Sequence, residues 1–338
     1  YYKALNKDGL HIDFASTNVV NKDDRAYQFI KSNGSNYYYL GSRRKNTFNY
    51  LKKLYLLLKT NKYDVIHING NSANMALELF VSRLAGINTR IAHGHTTRSN
   101  HPIVHRLMKK PLNLLSTHKL AVSNSTGKWL FEKNYIVLNN AIDVHKFAFN
   151  SYKRKKIRDE FGINDALVIG NVGKLYAPKN HAFLLEVFHY IISKNGNSFL
   201  LLAGGGELEN SLKEKALERG IDDKVLFLGM RDDISDIVQA FDVFVFPSTY
   251  EGLGLAVIEA QASGLKCIAS DRVPFETKVT DNIEYLSLDE SPVTWADAIL
   301  NLNVRNREEL SKQAMETIKV RGYDINFEAF KLETIYRS

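Results

Sequence analysis

The 338-residue sequence contains a single cysteine, only six prolines and no long apolar run. One cysteine cannot form a disulfide within the chain, and Cys267 lies in the strand-like run KCIAS, so we expect a buried, unreactive thiol. The apolar runs, such as Leu54 to Leu58, fall far short of the ~20 residues that a membrane-spanning helix needs. These absences argue against a disulfide-stapled protein and a transmembrane one, and we expect a soluble, intracellular protein.

Signatures of three common ligand sites are missing as well. The sequence has no Gly-x4-Gly-Lys-Ser/Thr loop and no Gly-x-Gly-x-x-Gly after a strand, which excludes a P-loop and a dinucleotide fingerprint. No cluster of metal ligands stands out either. Asp232 and Asp233 resemble an acidic metal motif, but they precede an apolar helix and are better explained as N-caps. We therefore predict no metal site.

The composition that remains is that of a globular, basic protein. With 44% apolar and 24% charged residues the chain can form folded domains, and its net charge of +8 favours an anionic partner. A nucleotide, a phospholipid surface and a nucleic acid all meet that condition. Nucleic-acid binding would need a concentrated basic patch, whereas the positive residues appear spread over the chain. We therefore do not expect a nucleic-acid partner.

Strands and helices alternate along both halves of the chain. Strand-like runs such as DVIHING, TRIAHGH, ALVIGNVG and DVFVFPS are separated by helical patterns, including one from His181 to Lys194. This order predicts an α/β protein with parallel sheets in two doubly wound domains. The polar segment SYKRKKIRDEFGI, residues 151–163, marks the boundary. We expect an N-terminal domain over 1–150, a C-terminal domain over 151–322, and a terminal helix over 323–338 that packs back on the first.

The first residues suggest that this chain continues in the N-terminal direction. The opening YYKALNKDGLHIDF has the pattern of a helix end, a turn and a strand. An α/β domain normally begins with a strand and a loop before such a helix. We therefore expect a first strand and a loop to precede residue 1.

The stretch STYEGLGLAVIEAQASG, residues 248–264, has the features of a phosphate-binding turn. Glycines lead from a buried strand into a helix, Leu255 to Ser263. The free N–H groups of Gly254 to Ala256 lie at the helix N-terminus, where they favour an anion. Glu251 precedes this turn and Glu259 follows two helical turns later, so that one carboxylate can bind sugar hydroxyls and the other a ribose diol. The alternative is an ordinary turn followed by a solvated helical glutamate.

This Glu-x7-Glu pattern, with FPSTY before it and AQASG after it, resembles the retaining GT-B glycosyltransferases of family GT4. The bacterial members that build capsule and exopolysaccharide are particularly similar. Further matches are GKLYAPKNH, LLAGGGELE, VLFLGMRDDI, RIAHGH and VSNSTGKWLF, so the resemblance spans nearly the whole chain. It implies two Rossmann-like domains facing across a cleft, a nucleotide-diphosphate sugar donor, retention of anomeric configuration, and neither a metal nor a further cofactor. We favour a UDP-sugar.

The resemblance assigns roles to individual residues of the donor site. Glu251 would contact the donor sugar, Glu259 the ribose, and Lys179 with Lys174 the diphosphate, whose developing negative charge fixed cations stabilise. The family often has Arg where Lys174 stands, so a point charge replaces a bidentate fork here. The remaining positions assigned to donor binding are Gly173, Gly205, Met230, Arg231, Gly252, Gly254, Leu255 and Ala256. The segment containing Met230 would read the base through its backbone.

Two positions of the first half also match the family. His95 ends the strand TRIAHGH and corresponds to a histidine that lines the sugar site, although His93 is an alternative and a histidine at a strand end is more often structural. Asn140 lies in LNNAID, where the family shows a glycine after the asparagine. Because Ala141 stands there instead, we expect that this position does not need a positive φ.

The function implied is transfer of a sugar from a nucleotide donor to a growing, lipid-linked glycan in capsule or exopolysaccharide biosynthesis. The basic amphipathic segment 98–115 would contact an anionic membrane, which would place the protein in the cytoplasm at the inner face of the cell membrane. Otherwise this segment is an exposed basic helix with one buried face. A sugar-nucleotide epimerase, a sugar phosphorylase and, less favoured, a nucleic-acid-binding protein are the alternatives.

Overall fold

A computed structural model describes residues 1–99, 101–303 and 306–338. The chain divides into two compact units, Tyr1–Asn140 with Asn326–Ser338, and Ala141–Ile325. The division at residue 140 lies ten residues before the boundary expected from the polar segment. Each unit has its own parallel sheet and its own core.

The first unit contains two parallel sheets. β1 pairs with β2, and a separate sheet has the order β3-β4-β5-β6. In chain order the elements are β1 (Phe14–Ser16), α1 (Arg25–Ser32), β2 (Tyr37–Tyr39), α2 (Thr47–Asn61), β3 (Val65–Gly70), α3 (Ala76–Leu84), β4 (Thr89–Gly94), α4 (Pro102–Leu115), β5 (His118–Ala121), α5 (Asn124–Leu130) and β6 (Ile136–Val137). β6 is limited to two residues.

Three helices of this unit form one layer. Because β3 to β6 follow one another in space as in sequence, right-handed crossovers place α3 and α4 on the same face of the sheet. α2 packs against α3, and α3 packs against α4. Their inner sides bury apolar residues such as Leu54, Leu79 and Leu112. The outer side of the layer therefore faces away from the sheet.

The second unit contains a single parallel sheet of six strands. Its elements are α6 (Val144–Phe147), α7 (Ser151–Phe161), β7 (Leu167–Val172), α8 (His181–Lys194), β8 (Ser198–Ala203), α9 (Glu209–Glu218), β9 (Val225–Gly229), α10 (Ile234–Ala240), β10 (Val243–Phe246), α11 (Leu255–Ala262), β11 (Lys266–Ser270), β12 (Ile283–Leu286), α12 (Pro292–Leu300) and α13 (Arg307–Val320). The last helix, α14 (Ile325–Arg337), belongs with the first unit from Asn326 onward.

α14 packs on the first unit through an apolar cluster that includes Leu5, Ile91 and Leu332. Its Glu328 is buried, and the carboxylate accepts a hydrogen bond of 2.9 Å from the backbone N–H of Asn139. These contacts join the end of the chain to the unit formed by its beginning.

The strand order in the second unit is β12-β11-β10-β7-β8-β9. The chain first adds strands on one side of β7 and then places β10, β11 and β12 on the other side. β7 and β10 are therefore the neighbours at which the order reverses. In open parallel sheets, ligands bind beyond the carboxyl ends of the strands at this switch point.

The polar segment 151–163, expected at the start of the second domain, contains the helix α7 of the second unit. Arg154 and Arg158 on α7 donate hydrogen bonds to the last carbonyls of α10 and form ion pairs with Asp242. The Asp242 carboxylate also accepts a 2.8 Å hydrogen bond from the backbone N–H of Val168. The buried Arg158 and the half-buried Arg154 are tolerated there because both are paired with Asp242.

Two expectations for single residues, Cys267 and Ala141, are confirmed. Cys267 is a free, buried thiol, and burial raises its pKa far above the ordinary value. Gly264 follows α11 with φ +70°, as a C′ glycine does. Ala141 does not adopt a positive φ. In the described ranges, no helix combines the length and apolar character needed to cross a bilayer.

Candidate active site

The loops that carry the donor-site candidates lie at one edge of the six-stranded sheet. The segment from Gly173 to Asn180 follows β7, and the segment from Pro247 to Gly254 follows β10. The two loops touch, since the backbone N–H of Thr249 donates a 2.8 Å hydrogen bond to the carbonyl of Pro178. Both loops therefore meet at the switch point of the strand order.

Lys179 and Glu251 form an ion pair between these loops. Lys179 Nζ lies 2.6 Å from Glu251 Oε1, and the two side chains are only 12% and 10% exposed. The ammonium also lies 4.3 Å from the ring centroid of Phe246, the last residue of β10. The two residues that the sequence assigned to the diphosphate and to the sugar are thus brought into direct contact.

The turn before α11 has the backbone geometry of an anion-binding helix start. Gly254 is the N-cap residue with φ +85°, and no side chain caps the helix. An L-residue would be strained at that φ. The first N–H groups of the helix, those of Leu255 and Ala256, therefore remain as donors at the end of the loop that carries Glu251.

Glu259 lies on α11, two turns after this start, and is mostly buried. Burial raises the pKa of its carboxyl to about 7, and the nearby Lys146 opposes that rise. Among the described residues, none donates a hydrogen bond to the Glu259 carboxylate. A buried acid in this condition gains most from a ligand that supplies donors.

The glycines after β8 pack tightly on the loop after β7. A Cβ on Gly204 would lie 2.0 Å from the carbonyl oxygen of Gly173, and one on Gly206 would lie 2.2 Å from that of Leu175. Gly205 has more room, since its nearest neighbour would be the flexible side chain of Met230. Gly204 and Gly206 are therefore required for close loop packing, whatever the run contributes to a ligand.

The segment after β9 contains a local ion pair that corrects the capping prediction. Arg231 donates two hydrogen bonds, of 2.8 and 2.7 Å, to the carboxylate of Asp233. Asp233 occupies the N-cap position of α10, but its side chain makes no capping bond. Met230 beside them is 84% exposed, and Lys174 after β7 is also exposed. The structure does not bring these two side chains into the Lys179 and Glu251 pair.

A buried hydrogen-bond network that was not expected from the sequence lies next to Lys179. Asn171 on β7 donates to the Val245 carbonyl of β10 at 2.8 Å, and its Oδ1 lies 3.0 Å from His181 Nε2. Burial and the charge of Lys179 lower the pKa of His181 to about 4. These hydrogen bonds hold the start of α8 against the two central strands, β7 and β10. The sequence feature that could have predicted this network is the single asparagine in the otherwise apolar strand ALVIGNVG.

In the first unit, His95 lies at the exposed end of β4. Its Nε2 lies 2.9 Å from Asn69 Oδ1 and therefore donates to that oxygen, which leaves Nδ1 as the acceptor of a neutral ring. The alternative residue, His93, is buried at a 4.3 Å ring distance from His95. Burial and the neighbouring imidazoles lower the pKa of His93 to about 2. Of the two histidines, His95 is the one available to a ligand.

His93 belongs to a second buried hydrogen-bond network that was also not expected from the sequence. His67 Nε2 lies 3.1 Å from His93 Nδ1, and His67 Nδ1 lies 2.7 Å from the Tyr336 hydroxyl of α14. Burial lowers the pKa of His67 to about 4. Both buried imidazoles, His67 and His93, are therefore uncharged near neutral pH. Within the part of the chain that is described, no group of three His, Cys, Asp or Glu residues is arranged to hold a metal ion.

Comparison with known proteins decides the family. The family described as "Glycosyl transferases group 1" matches residues 153–317. The putative glycosyltransferase EpsF of Bacillus subtilis (strain 168) is 30% identical over 99% of this chain and 90% of that protein. The chain belongs to the group 1 glycosyltransferases. It is thus an enzyme that transfers a sugar, as the resemblance implied.

Two further relatives of this glycosyltransferase also match over most of their length. The UDP-Gal:alpha-D-GlcNAc-diphosphoundecaprenol alpha-1,3-galactosyltransferase of Escherichia coli is 29% identical, over 85% of this chain and 78% of that protein. The capsular polysaccharide biosynthesis glycosyltransferase CapH of Staphylococcus aureus is 26% identical, over 99% and 92%.

Solved structures confirm the GT-B fold of this glycosyltransferase. Anabaena Alr3699/HepE in complex with UDP superposes with a TM-score of 0.76 at 16% identity, covering 97% of this chain and all of that one. A glycosyltransferase from Rickettsia africae gives a TM-score of 0.74, also at 16% identity, covering 97% and 90%. At such identity the likeness establishes the fold.

Proposed function

We propose that this glycosyltransferase moves a sugar from UDP to a lipid-linked glycan during capsule or exopolysaccharide synthesis, with retention of anomeric configuration and without a metal. The observation that carries the proposal is the pair of Lys179 and Glu251 at the sheet switch point, beside the uncapped start of α11. Support for the donor and acceptor comes from the UDP bound to the Anabaena protein and from the diphosphoundecaprenol acceptor that names the Escherichia coli relative.

The proposed roles follow from the position of each group. The N–H groups of Leu255 and Ala256 and the ammonium of Lys179 bind the diphosphate, with Lys174 and the backbone of Gly173, Gly205, Gly252 and Gly254 around it. When the bond from the anomeric carbon to the phosphate oxygen breaks, negative charge grows on that oxygen, and the fixed cation stabilises it. The acceptor hydroxyl oxygen then bonds to the anomeric carbon on the same face of the sugar, and its proton passes to the departing phosphate oxygen.

The other two acidic and basic candidates bind the ends of the donor. Glu251 accepts hydrogen bonds from the sugar hydroxyls, and Glu259 accepts them from the ribose diol, which matches its buried carboxylate without internal donors. The backbone at Met230 and Arg231 contacts the base. His95 remains our candidate for a sugar-binding residue of the first unit, with Nδ1 as its acceptor.

The test separates binding from chemistry. Glu259→Ala should weaken UDP binding by roughly 1–3 kcal/mol, the range for a lost charge-assisted hydrogen bond, in calorimetry. Glu251→Gln should instead reduce turnover far more than UDP affinity, because its partner is the sugar. Equal losses of turnover and affinity in Glu251→Gln would mark a structural glutamate and would contradict its assigned role.

Product analysis tests the reaction class. Proton NMR of the product should show the same anomer as the donor, and EDTA should leave the rate unchanged. Incubation of the donor without an acceptor distinguishes the alternatives, since an epimerase converts the nucleotide sugar alone and a phosphorylase requires phosphate. Conversion under either of those conditions, without transfer to a glycan, would refute the proposal.

We also propose that segment 98–115 contacts an anionic membrane, where a lipid-linked acceptor would reside. Asn100 lies outside the described residues, and the rest of the segment is mainly α4. The outer side of α4 exposes Ile103, Leu107 and Leu114, with Arg106 and Lys110 between them. This spacing forms one apolar and basic stripe along the helix.

A further inference from the structure

The outer sides of α2 and α3 carry the same kind of surface as α4. On α2, Phe48 and Leu56 are exposed on the side opposite to the buried Tyr50, Leu54 and Leu58. On α3, Phe80 and Leu84 are exposed one turn apart. Together the three helices expose seven large apolar side chains, each between 51% and 80% accessible: Phe48, Leu56, Phe80, Leu84, Ile103, Leu107 and Leu114.

Basic side chains lie among these apolar ones. Lys52 and Lys59 of α2 are exposed at helical spacing with Phe48 and Leu56, and Arg83 of α3 is exposed next to Leu84. Contrary to the expectation from sequence, the positive charge is not spread evenly over the chain. Residues 41–120 hold 14 Lys and Arg but only two Asp and Glu, an excess larger than the net +8 of the whole chain.

Neither acidic residue of that region opposes this surface. Glu78, the sole acid within the three helices, is buried and pairs with Arg43 at 2.8 Å. Asp64 lies after α2, immediately before β3. The outer face of the layer is therefore apolar and positive without a compensating acid from α2, α3 or α4.

We propose that α2, α3 and α4 form one face that docks on the surface of an anionic phospholipid bilayer. The proposal deepens the membrane contact of segment 98–115 and rests on it. Because the helices lie side by side in one layer, their apolar side chains enter the headgroup and acyl boundary together, while Lys and Arg bind lipid phosphates. The area involved extends the contact from one helix to three.

The positive charge and the aliphatic side chains of this face disfavour other binding partners. A second copy of the chain docked through the same face would bring positive charge against positive charge. A nucleic acid would satisfy the basic groups, but five of the seven exposed apolar side chains are aliphatic and offer no stacking surface for bases. An anionic bilayer is the partner that accepts both components of this face.

Co-sedimentation of the full chain with phospholipid vesicles tests the inference. The vesicles contain either equal parts of phosphatidylglycerol and phosphatidylcholine or phosphatidylcholine alone. The double variant Lys52→Glu/Lys59→Glu removes charge from α2, and Arg106→Glu/Lys110→Glu removes it from α4. Lys155→Glu/Lys156→Glu is the matched control, since it reverses two exposed lysines on α7 of the second unit.

The unaltered chain should sediment with the anionic vesicles only, and salt should release it. Both the α2 and the α4 variants should lose at least about tenfold in vesicle affinity, because each reverses two charges near the surface. The α7 control should bind like the unaltered chain. In Phe48→Ser/Leu56→Ser the basic groups remain, and a similar loss of affinity would establish that the apolar side chains insert. Thermal melting and UDP binding by each variant verify that the fold is retained.

Two results would overturn the inference. If the α4 variant loses binding while both α2 variants bind normally, the contact is confined to segment 98–115, and only the three-helix face is wrong. If the unaltered chain ignores anionic vesicles but binds single-stranded RNA through the same lysines, the partner is a nucleic acid. Neither result affects the sugar-transfer proposal, which UDP binding and turnover report independently.

Discussion

Nucleotide affinity should fall as the pH falls, and Glu259 is the group responsible. Burial raises the pKa of its carboxyl to about 7. A ribose diol donates hydrogen bonds, so it binds the carboxylate and not the neutral acid. Protons and nucleotide therefore compete for Glu259 across the physiological range.

The size of the effect follows from that pKa. At pH 5, two units below the pKa, roughly one Glu259 in 100 is ionised. If the bound form titrates near the ordinary value, affinity at pH 5 is about 100-fold lower than above pH 8, or ~2.7 kcal/mol. The contribution of Glu259 to folding stability changes with pH in the opposite direction. A carboxyl whose folded pKa is raised stabilises the fold at low pH, and this contribution is lost as the pH rises from about 4.5 through 7.

Calorimetry with UDP-glucose measures both quantities, because the diphosphate of this donor has no group that titrates between pH 5 and 8. At pH 6.5, binding should release about 0.75 proton, obtained by comparing two buffers of different ionisation enthalpy. Glu259→Gln is the control, since it keeps the shape of the side chain and removes the titrating group. An unchanged pH dependence in Glu259→Gln would refute the reasoning, as would binding of equal strength at pH 5 and 8.

Three further predictions concern other parts of the two units. Asp242→Asn should destabilise the second unit by roughly 3–5 kcal/mol in urea unfolding, because it leaves the buried Arg158 and the half-buried Arg154 without their carboxylate. Gly206→Ala should lower the melting temperature, since its Cβ would clash with a backbone carbonyl, whereas Gly196→Ala, which has open space, should not. Asn69→Asp should raise the pKa of His95 in an NMR titration by placing a carboxylate on its Nε2; no rise would place the ring elsewhere.

The parts of the fold predicted from sequence are those that local pattern determines. The limits of α8 agree with the expected His181 to Lys194, because apolar residues recur at helical spacing between polar ends. The start of α11 was equally clear, since Gly254 and Gly264 bracket an apolar helix. The position of the candidate donor residues after strands also followed from alternation alone.

The features that sequence analysis missed depend on partners that are distant in the chain. The charged segment of α7 gives no local sign of its pairing, because the counterion of Arg158, Asp242, lies more than 80 residues away in the chain. Asp233 fulfilled the capping pattern, yet its carboxylate binds Arg231 more directly. The concentration of basic charge in residues 41–120 became meaningful only when α2, α3 and α4 proved to share one layer. Pattern gives the elements, whereas pairing across elements decides which charges are buried.

The contact between Lys179 and Glu251 gives the proposed donor site a means of discrimination. Each group neutralises the other, so a ligand that takes the ammonium for its diphosphate leaves a mostly buried carboxylate without a cation. Removing one partner of a buried pair costs several kcal/mol unless new donors replace it. An intact nucleotide sugar supplies both a diphosphate and hydroxyls, whereas the spent nucleotide supplies the diphosphate alone. In the proposed site, the same ion pair would therefore favour retention of substrate over product, and its re-formation after transfer would help to expel the nucleotide.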